Sequence, residues 1–481
     1  MADPERAARF ERRMSAGEAL MWNVEKDPWL NPSGATVCVL DGPTDIGVVE
    51  RWLAAMVADV PRLRERVTPG FGRFTPPTWT PDPEFSYHYH VRHIGAAAPG
   101  TDRQLLDMTT LMLQEPFDRT RPLWQVVVLH GLADDRSAVY MKVHHSIADG
   151  YGTARLQQRF MVRQPDVAPP PVVDLDAVVA LTCGQAETER ADAARGPLGA
   201  VAGLAGRSAA LWRRVAADAA LTAADPRRLG EVVSGAAGAA RMARSQLGGE
   251  GGGDAPVGSS LWTGRSRRRH LELVHLPLED VKQAAQRLGG SVNDAFMTAL
   301  AHAAASYHHE RGAPVDTFDT AFVISTRADS AEGGNSFSPV RVLLPGRPMG
   351  IAERFDAVRD RVFAARSSFS GGGLMGGLAI VANLLPTSLT TRVARSGAAR
   401  VDFATSNVRG SGRPLYIAGR RIESMFALGP VAGSAMNVTA LSYAGTLAVA
   451  LHIDPAAIAD AADLAKLTES AFDELGATAR H

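Results

Sequence analysis

A long stretch rich in alanine, glycine, arginine and proline divides this chain of 481 residues into two parts. It begins at the proline-rich residues 164–171 and ends just after the glycine-rich residues 248–253, a composition typical of flexible joints. Patterns of helix and strand alternate on both sides of it, as in mixed α/β proteins. The sequence therefore predicts an N-terminal lobe at residues 1–163, a connecting insert at 164–260 and a C-terminal lobe at 261–481.

Both predicted lobes mix helices with strands. Apolar residues at helical spacing predict a helix over residues 46–67, and alternating polarity predicts a strand over residues 85–94. Residues 124–132 and 138–144 are expected to pair as strands across a polar turn. In the C-terminal lobe, residues 292–310 are expected to form a helix. These elements predict an α/β fold with mixed sheets.

Composition narrows the class of protein. Hydrophobic residues make up 46% of the chain and charged residues 21%, proportions typical of a globular protein. Basic and acidic residues balance at 51 each, so the net charge gives no indication of nucleic-acid binding. The two cysteines, Cys38 and Cys183, lie far apart, which argues against a disulfide framework or a zinc cluster.

The sequence also predicts where the protein works. Residues 1–6 are charged and lack the apolar core of a signal peptide. The sequence contains no uninterrupted run of 18 or more apolar residues, the length needed to span a bilayer. We therefore expect a cytoplasmic protein. If its substrates are lipids, it is also expected to lie peripherally on the inner face of the membrane or on lipid droplets.

The segment at residues 141–150 carries the strongest indication of chemistry. It consists of a strand that ends in His144 and His145, followed by Asp149 and Gly150. Histidine is the side chain best suited to act as a general base near neutral pH, as acyl transfer to an alcohol requires. Gly150 permits backbone angles that a side chain would block. The segment therefore predicts a site that contains a general base.

Strand geometry separates the two histidines. His144 should point to the same face as Lys142, and His145 to the same face as Val143. We therefore expect His145 to be the base and His144 to support it. One alternative is a pair of hydrogen-bonded histidines at a strand end with no catalytic role. A metal site is a weaker alternative, because adjacent strand residues diverge and no third ligand is spaced nearby.

Several segments, taken in order, resemble the bifunctional wax ester synthase/acyl-CoA:diacylglycerol acyltransferase family. Residues 144–150 resemble its HHxxxDG motif, and residues 117–124 resemble its Asp-Arg-x-x-Pro-Leu-Trp segment. The other matching segments are His90-Val91-Arg92, Ser291-Val292-Asn293-Asp294, Gly334-Asn335 and Ser406-Asn407-Val408. The resemblance covers the chain from about residue 15 to its C-terminus, apart from the insert.

The resemblance implies a two-lobe chloramphenicol-acetyltransferase-like, coenzyme-A-dependent acyltransferase fold with a tunnel between the lobes. It implies transfer of a long-chain acyl group from acyl-CoA to diacylglycerol or a long-chain alcohol, without a metal or other cofactor. One alternative is an acyltransferase on the same scaffold that acts on a polyketide, a sugar or an amine. Another is a non-catalytic protein that binds lipid surfaces.

The resemblance also implies further site residues. Asn293 is the candidate donor to the oxyanion, with a helix cap formed by Ser291 or Asn293 as the alternative. Asn407 is a second candidate, which by itself would be interpreted as a turn residue. Arg327 is expected to pair with Asp149, which makes that aspartate architectural. The alternatives are that Arg327 contacts only water and that Asp149 caps a helix.

Two features bear on membrane docking and acceptor choice. The insert contains a cluster of arginines near apolar residues, which fits a basic amphipathic segment on an anionic membrane; a solvated linker with short helices is the alternative. Where the family has Ser-Asn-Val-Pro-Gly-Pro, residues 406–412 of this chain contain no proline. This change is expected to affect the shape of the loop and the choice of acceptor.

Overall fold

The computed structural model describes residues 12–70, 76–147, 156–157, 159–193, 258–325, 337–368, 383 and 386–479. The predicted site residues Asp149, Gly150 and Arg327 lie outside the described residues, as do the arginines of the insert and its glycine-rich end.

Ten helices and fourteen strands are numbered here in chain order within the described ranges. The helices are α1 Ala16–Val24, α2 Ile46–Asp59, α3 Tyr87–His90, α4 Asp102–Gln114, α5 Leu175–Ala193, α6 Leu278–Arg287, α7 Val292–Glu310, α8 Ile351–Ser368, α9 Thr387–Ala399 and α10 Ala461–Thr478. The strands are β1 Ser33–Leu40, β2 Glu65–Thr68, β3 Thr78–Pro81, β4 Val91–Gly95, β5 Trp124–His130, β6 Ser137–His144, β7 His270–Pro277, β8 Thr317–Ser325, β9 Phe337–Pro345, β10 Phe403–Arg409, β11 Tyr416–Ile417, β12 Arg420–Leu428, β13 Met436–Tyr443 and β14 Thr446–Ile453.

The strands form two six-stranded sheets and a separate pair of β2 and β3. The first sheet has the order β11-β12-β1-β6-β5-β4, and the second has the order β7-β14-β13-β10-β8-β9. Each sheet mixes parallel and antiparallel pairs; β4 runs parallel to β5, whereas β6 runs antiparallel to both of its neighbours. Both sheets are therefore of the mixed kind that the sequence predicts.

A strand from the C-terminal part of the chain completes the first sheet. β12 pairs antiparallel with β1, and Ala35 lies opposite Leu428 in the register. No single point in the chain therefore separates the strands of the first sheet from those of the second. The limits predicted for the two lobes and the insert stay a prediction.

Apolar side chains from both sheets meet in one cluster. Val37, Tyr140 and Phe426 of the first sheet pack there with Leu271 and Ala450 of the second. Burial of apolar surface is the main favourable contribution to such packing, at roughly 25 cal/mol per Å². The cluster therefore joins the two sheets across their facing surfaces.

The predicted helix over residues 46–67 is wrong in its second half. α2 ends at Asp59, and Pro61 begins a short 3₁₀ helix that leads into β2. Val60 is extended, with φ −113° and ψ 96°. A residue before proline is disfavoured in the helical region, and proline lacks the backbone N–H that continues a helix.

The strand predicted over residues 85–94 is also only partly correct, because its first half forms α3 and only its second half forms β4. His90 explains the difference. Its Nδ1 lies 2.8 Å from the carbonyl oxygen of Trp124, and its ring stacks at 4.6 Å on Trp124 and 5.3 Å on Phe85. These contacts with a neighbouring strand stabilise a turn that local alternation does not predict.

Candidate active site

β6 ends at His144, so the two histidines lie at the edge of the apolar cluster that this sheet forms with α2. Met141 and Val143 point into the cluster packed against α2, whereas Tyr140 points into the cluster between the sheets. The strand ends at His144, whose carbonyl accepts a hydrogen bond from the Ile147 N–H at 2.9 Å. The alternation predicted from the sequence is therefore present along this strand, and the chain turns directly after His144.

His144 is buried and its Nδ1 is occupied. The backbone N–H of Ser146 donates to Nδ1 at 3.0 Å, and the Ser146 hydroxyl lies 2.6 Å from the same atom. Nε2 lies 3.3 Å from Oε2 of Glu25. A nitrogen that accepts a backbone hydrogen bond carries no proton, so the neutral ring carries its proton on Nε2, facing the carboxylate. This arrangement leaves His144 poorly suited to accept a proton from a substrate.

Glu25 belongs to a buried charge network. Its side chain is 3% exposed, and Oε2 accepts a hydrogen bond from Nη1 of Arg119 at 3.0 Å. Nη2 of Arg119 donates to the Trp22 carbonyl at 2.8 Å, and the guanidinium lies 3.3 Å from the centre of the Trp22 ring. The end of α1 is thereby fixed against the histidine segment.

His145 lies on the other face, above a glycine. Its backbone N–H donates to the Pro32 carbonyl at 3.4 Å. A Cβ built on Gly34 would lie 3.4 Å from Nε2 of His145 and 3.3 Å from the Leu428 carbonyl oxygen. Gly34 is opposite Val143 in the register, so the imidazole lies on the Val143 face, as the alternation predicts. Because Leu428 belongs to β12, the imidazole lies beside the junction where that strand joins the sheet.

Gly34→Val is expected to lower acyl transfer about 10²-fold, because its branched side chain would occupy the space of the His145 imidazole. A displacement of about 1 Å in a reacting group is enough for a loss of that size. Thiol release from acyl-CoA measures the effect. Gly17→Ala is the matched control: a Cβ at Gly17, in α1, meets nothing within 4 Å. Equal activity of the two variants would contradict the importance of the space above Gly34.

The two candidate asparagines lie on elements of the second sheet and its helices. Ser291, not Asn293, caps α7, in a capping box with Asp294. Asn293 is half-buried in the first turn, and its Nδ2 lies 3.4 Å from Sδ of Met297. Asn407 is exposed and lies within β10 opposite Ala440, so the interpretation as a turn residue is wrong. The approach of either amide to His145 stays a prediction.

Lys142 is a buried cation beside the histidines. It is 1% exposed; its Nζ donates to the Met112 carbonyl at 3.0 Å and to the Glu115 carbonyl, and it lies 4.5 Å from the centre of the Phe117 ring. Burial lowers the pKa of Lys142 from 10.5 to about 8, although the charges of Glu115 and Glu25 raise it. The lysine thus binds carbonyls at the end of α4, at a cost in desolvation.

The stability of the wild type relative to Lys142→Met is expected to rise by about 2–3 kcal/mol between pH 8 and pH 10.5. In this range the unfolded chain holds a proton on Lys142 that the folded protein has lost, so the unfolded state binds more protons. Below pH 8 the full desolvation cost is present. Urea unfolding at several pH values measures the difference. Lys282→Met, at an exposed position, should show no such trend.

Two cavities are formed by described residues. One of about 210 Å³ lies between α6 and α10 and is lined by Leu276, Ala284 and Phe472 among others. The other, of about 420 Å³, lies between Asp27 and α9. Neither is lined by His145, and the tunnel implied by the resemblance stays a prediction.

Within the described ranges, no three His, Cys, Asp or Glu side chains come together in a way that could hold a metal ion. In the same ranges, no helix combines the length and apolarity needed to cross a bilayer.

Sequence reasoning missed three residues that surround the histidines: Glu25, Gly34 and Ser146. Glu25 and Gly34 are far from the motif in the chain, and no local pattern connects them to it. Arg119 lies in the segment that resembles Asp-Arg-x-x-Pro-Leu-Trp, which is one indication of this network in the sequence. The spacing of Ser146 two residues after His144 is typical of a local side-chain-to-backbone hydrogen bond, a second indication.

Comparison with protein families gives two matches. Residues 14–296 match the model described as the wax ester synthase/diacylglycerol acyltransferase catalytic domain, and residues 333–476 match that of the C-terminal domain of the same family. A putative diacylglycerol O-acyltransferase of Mycobacterium tuberculosis is 28% identical over 484 residues, covering 100% of this chain and 94% of that protein.

Solved structures show the same fold. The wax ester synthase/diacylglycerol acyltransferase of Marinobacter aquaeolei superposes with a TM-score of 0.63 at 18% identity, covering 98% of this chain and 100% of that one. The first condensation domain of the calcium-dependent antibiotic synthetase gives a TM-score of 0.56 at 16% identity, covering 98% and 97%. The predicted coenzyme-A-dependent acyltransferase fold is confirmed.

Proposed function

This chain belongs to the wax ester synthase/diacylglycerol acyltransferase family, and we propose that it transfers a long-chain fatty acyl group from acyl-CoA to diacylglycerol or a long-chain alcohol. The family membership supports acyltransferase activity in general.

The observation that carries this proposal is the separation of the two histidines. Nδ1 of His144 accepts the Ser146 N–H, and its buried Nε2 lies 3.3 Å from the Glu25 carboxylate, so His144 is enclosed by the protein on both sides of its ring. His145 is half-buried on the opposite face, above Gly34 and beside β12. A base must reach its substrate, so the half-buried His145, and not the enclosed His144, is the residue that we propose as the base.

The chemistry that we infer begins with His145 taking the hydroxyl proton of the acceptor alcohol. The alcohol oxygen attacks the thioester carbonyl and forms the new C–O bond. The tetrahedral intermediate then collapses with cleavage of the C–S bond, and the coenzyme A thiolate receives the proton back from His145. Asn293 is the proposed donor to the oxyanion, with Asn407 second. Such donors contribute on the order of 10²–10³-fold.

The proposed function is tested by thiol release from palmitoyl-CoA, with hexadecanol, a diacylglycerol and a long-chain amine supplied separately. We expect thiol release to require an alcohol acceptor, with one molecule of wax ester or triacylglycerol formed for each thiol released. Release that depends only on the amine would favour another acyltransferase on the same scaffold. If none of the acceptors supported thiol release, the proposal would be overturned.

We also propose that the protein works at a lipid surface, because both proposed acceptors partition into membranes and droplets. The arginines of the insert support this location through their charge, since basic segments bind anionic surfaces. Flotation of the full chain with triacylglycerol emulsions coated with anionic phospholipid would measure it. Equal recovery with and without the emulsion would contradict it.

A further inference from the structure

The cavity of about 420 Å³ lies where the C-terminal part of the chain meets its N-terminal helix. Asn383 joins the two parts: its Oδ1 accepts from Asn23 at 3.0 Å, and its Nδ2 donates to the Ala16 carbonyl at 2.9 Å. Junctions between parts of a fold are common places for ligand pockets. The lining residues are Asp27, Ser388, Thr391, Arg392, Arg395, Ser396 and Ala399.

The lining is chemically suited to an anion. It combines two guanidinium groups, Arg392 and Arg395, with the hydroxyls of Ser388 and Ser396, against one carboxylate. The Thr391 hydroxyl donates instead to the Thr387 carbonyl at 2.8 Å. Residues 386–400 contain three arginines and no acidic residue. Guanidinium groups and hydroxyls are the side chains that bind phosphate oxygens, the former often through two hydrogen bonds.

The two arginines differ in how they are held. The guanidinium of Arg395 lies 4.4 Å from the centre of the Trp29 ring, and its Nη1 lies 3.8 Å from Oδ2 of Asp27. Arg392 is exposed, and within the described ranges it forms no ion pair or hydrogen bond. The charge of Arg395 is therefore partly balanced, whereas that of Arg392 remains available to a ligand.

The cavity is connected to the histidine segment by a short piece of chain. Asp27 is two residues after Glu25, whose carboxylate contacts His144. It precedes Ser33, the partner of His144 in the sheet, by six residues, which span at most roughly 20 Å when extended. The cavity therefore lies within roughly 20 Å of chain from the end of β6, on the side of Glu25 and His144.

We propose that this cavity is a phosphate subsite that binds the nucleotide phosphates of the acyl-CoA thioester, with Arg392 as its principal cation. The inference rests on the proposed function. Coenzyme A separates its thioester from its phosphates by a long pantetheine arm, so a phosphate subsite belongs away from the catalytic base. The subsite makes Arg392 a residue for binding the acyl donor, with no part in the chemical step.

The test compares the full-length wild type with Arg392→Gln, using palmitoyl-CoA and palmitoyl-pantetheine as alternative acyl donors. We expect KM for palmitoyl-CoA to rise about tenfold in the variant, the effect of losing one charge-assisted hydrogen bond at an accessible site, with kcat unchanged. KM for palmitoyl-pantetheine, which lacks the nucleotide, should stay the same. Arg400→Gln is the matched control, because Arg400 is exposed at the end of α9 but does not line the cavity.

Three outcomes would overturn the proposal while leaving the acyltransferase function intact. They are an unchanged KM for palmitoyl-CoA, an equal rise for both donors, and an equal rise in the Arg400→Gln control. A lipid headgroup is the other source of phosphate, and co-sedimentation with phosphatidylglycerol vesicles distinguishes it: loss of vesicle binding without a change in KM would assign the cavity to lipid. A wild type that releases no thiol would instead contradict the proposed function itself.

Discussion

His145→Ala is expected to lower kcat/KM for acyl transfer by about 10²–10⁴-fold, the usual contribution of a positioned general base. The alcohol would then have to lose its proton to water. His145 is half-buried at the end of β6 and above a glycine, so its replacement removes little packing and the fold should persist. Thiol release under saturating acceptor measures the rate, and thermal unfolding confirms that the variant is folded.

His309→Ala is the control for this prediction, because His309 is exposed near the end of α7. It should retain wild-type activity and stability. A folded His145→Ala protein with normal acyl transfer would show that the base is another residue, which would contradict the proposed role of His145. The same result would leave the fold and the family of the chain unaffected.

Arg119→Met is expected to reduce the free energy of unfolding by about 3 kcal/mol, the lower end of the usual loss when one partner of a buried ion pair is removed, because Glu25 is buried whereas Arg119 is 28% exposed. The Glu25 carboxylate is 3% exposed and would lose its hydrogen bond from the guanidinium, leaving His144 at 3.3 Å and the more distant charge of Lys142 as its polar surroundings. The contact of the guanidinium with Trp22 would also be lost. Urea or thermal unfolding measures the change.

Two further variants separate the effect of the Glu25–Arg119 ion pair from the effect of removing a surface charge. In Arg159→Ala, removal of an ion pair with Asp59 whose partners are 55% and 63% exposed should cost less than about 1 kcal/mol. The double variant Glu25→Gln/Arg119→Met should recover part of the loss, because it removes the unpaired carboxylate. A loss no larger than that of the exposed pair would contradict the importance of this network.

Activity should follow stability in the Arg119 variant for a geometric reason. Glu25 and the Ser146 N–H together fix the tautomer of His144, which adjoins the proposed base in the chain. A loosened Glu25 would allow the ring to rotate and the turn at residues 144–147 to move. The network thus connects the end of α1 to the position of His145.

The sequence predicted much of the local structure, because local structure depends on residues close together in the chain. The helix predicted over residues 292–310 is α7, Val292–Glu310, and it starts directly after its cap, Ser291. The alternation along β6 predicts that the two histidines lie on opposite faces of the strand. Pro61 ends the helix predicted over residues 46–67 earlier than its apolar periodicity indicates.

What the tertiary structure alone decided is which distant residues lie together. β12 joins β1, His90 turns the chain through its contact with Trp124, and Glu25 reaches His144. Each of these contacts depends on the packing of several elements at once, and no short pattern in the chain records it. The residue types of the site could therefore be predicted from the sequence, whereas the contact of His144 with Glu25 and the space above Gly34 exist only once the sheets have come together.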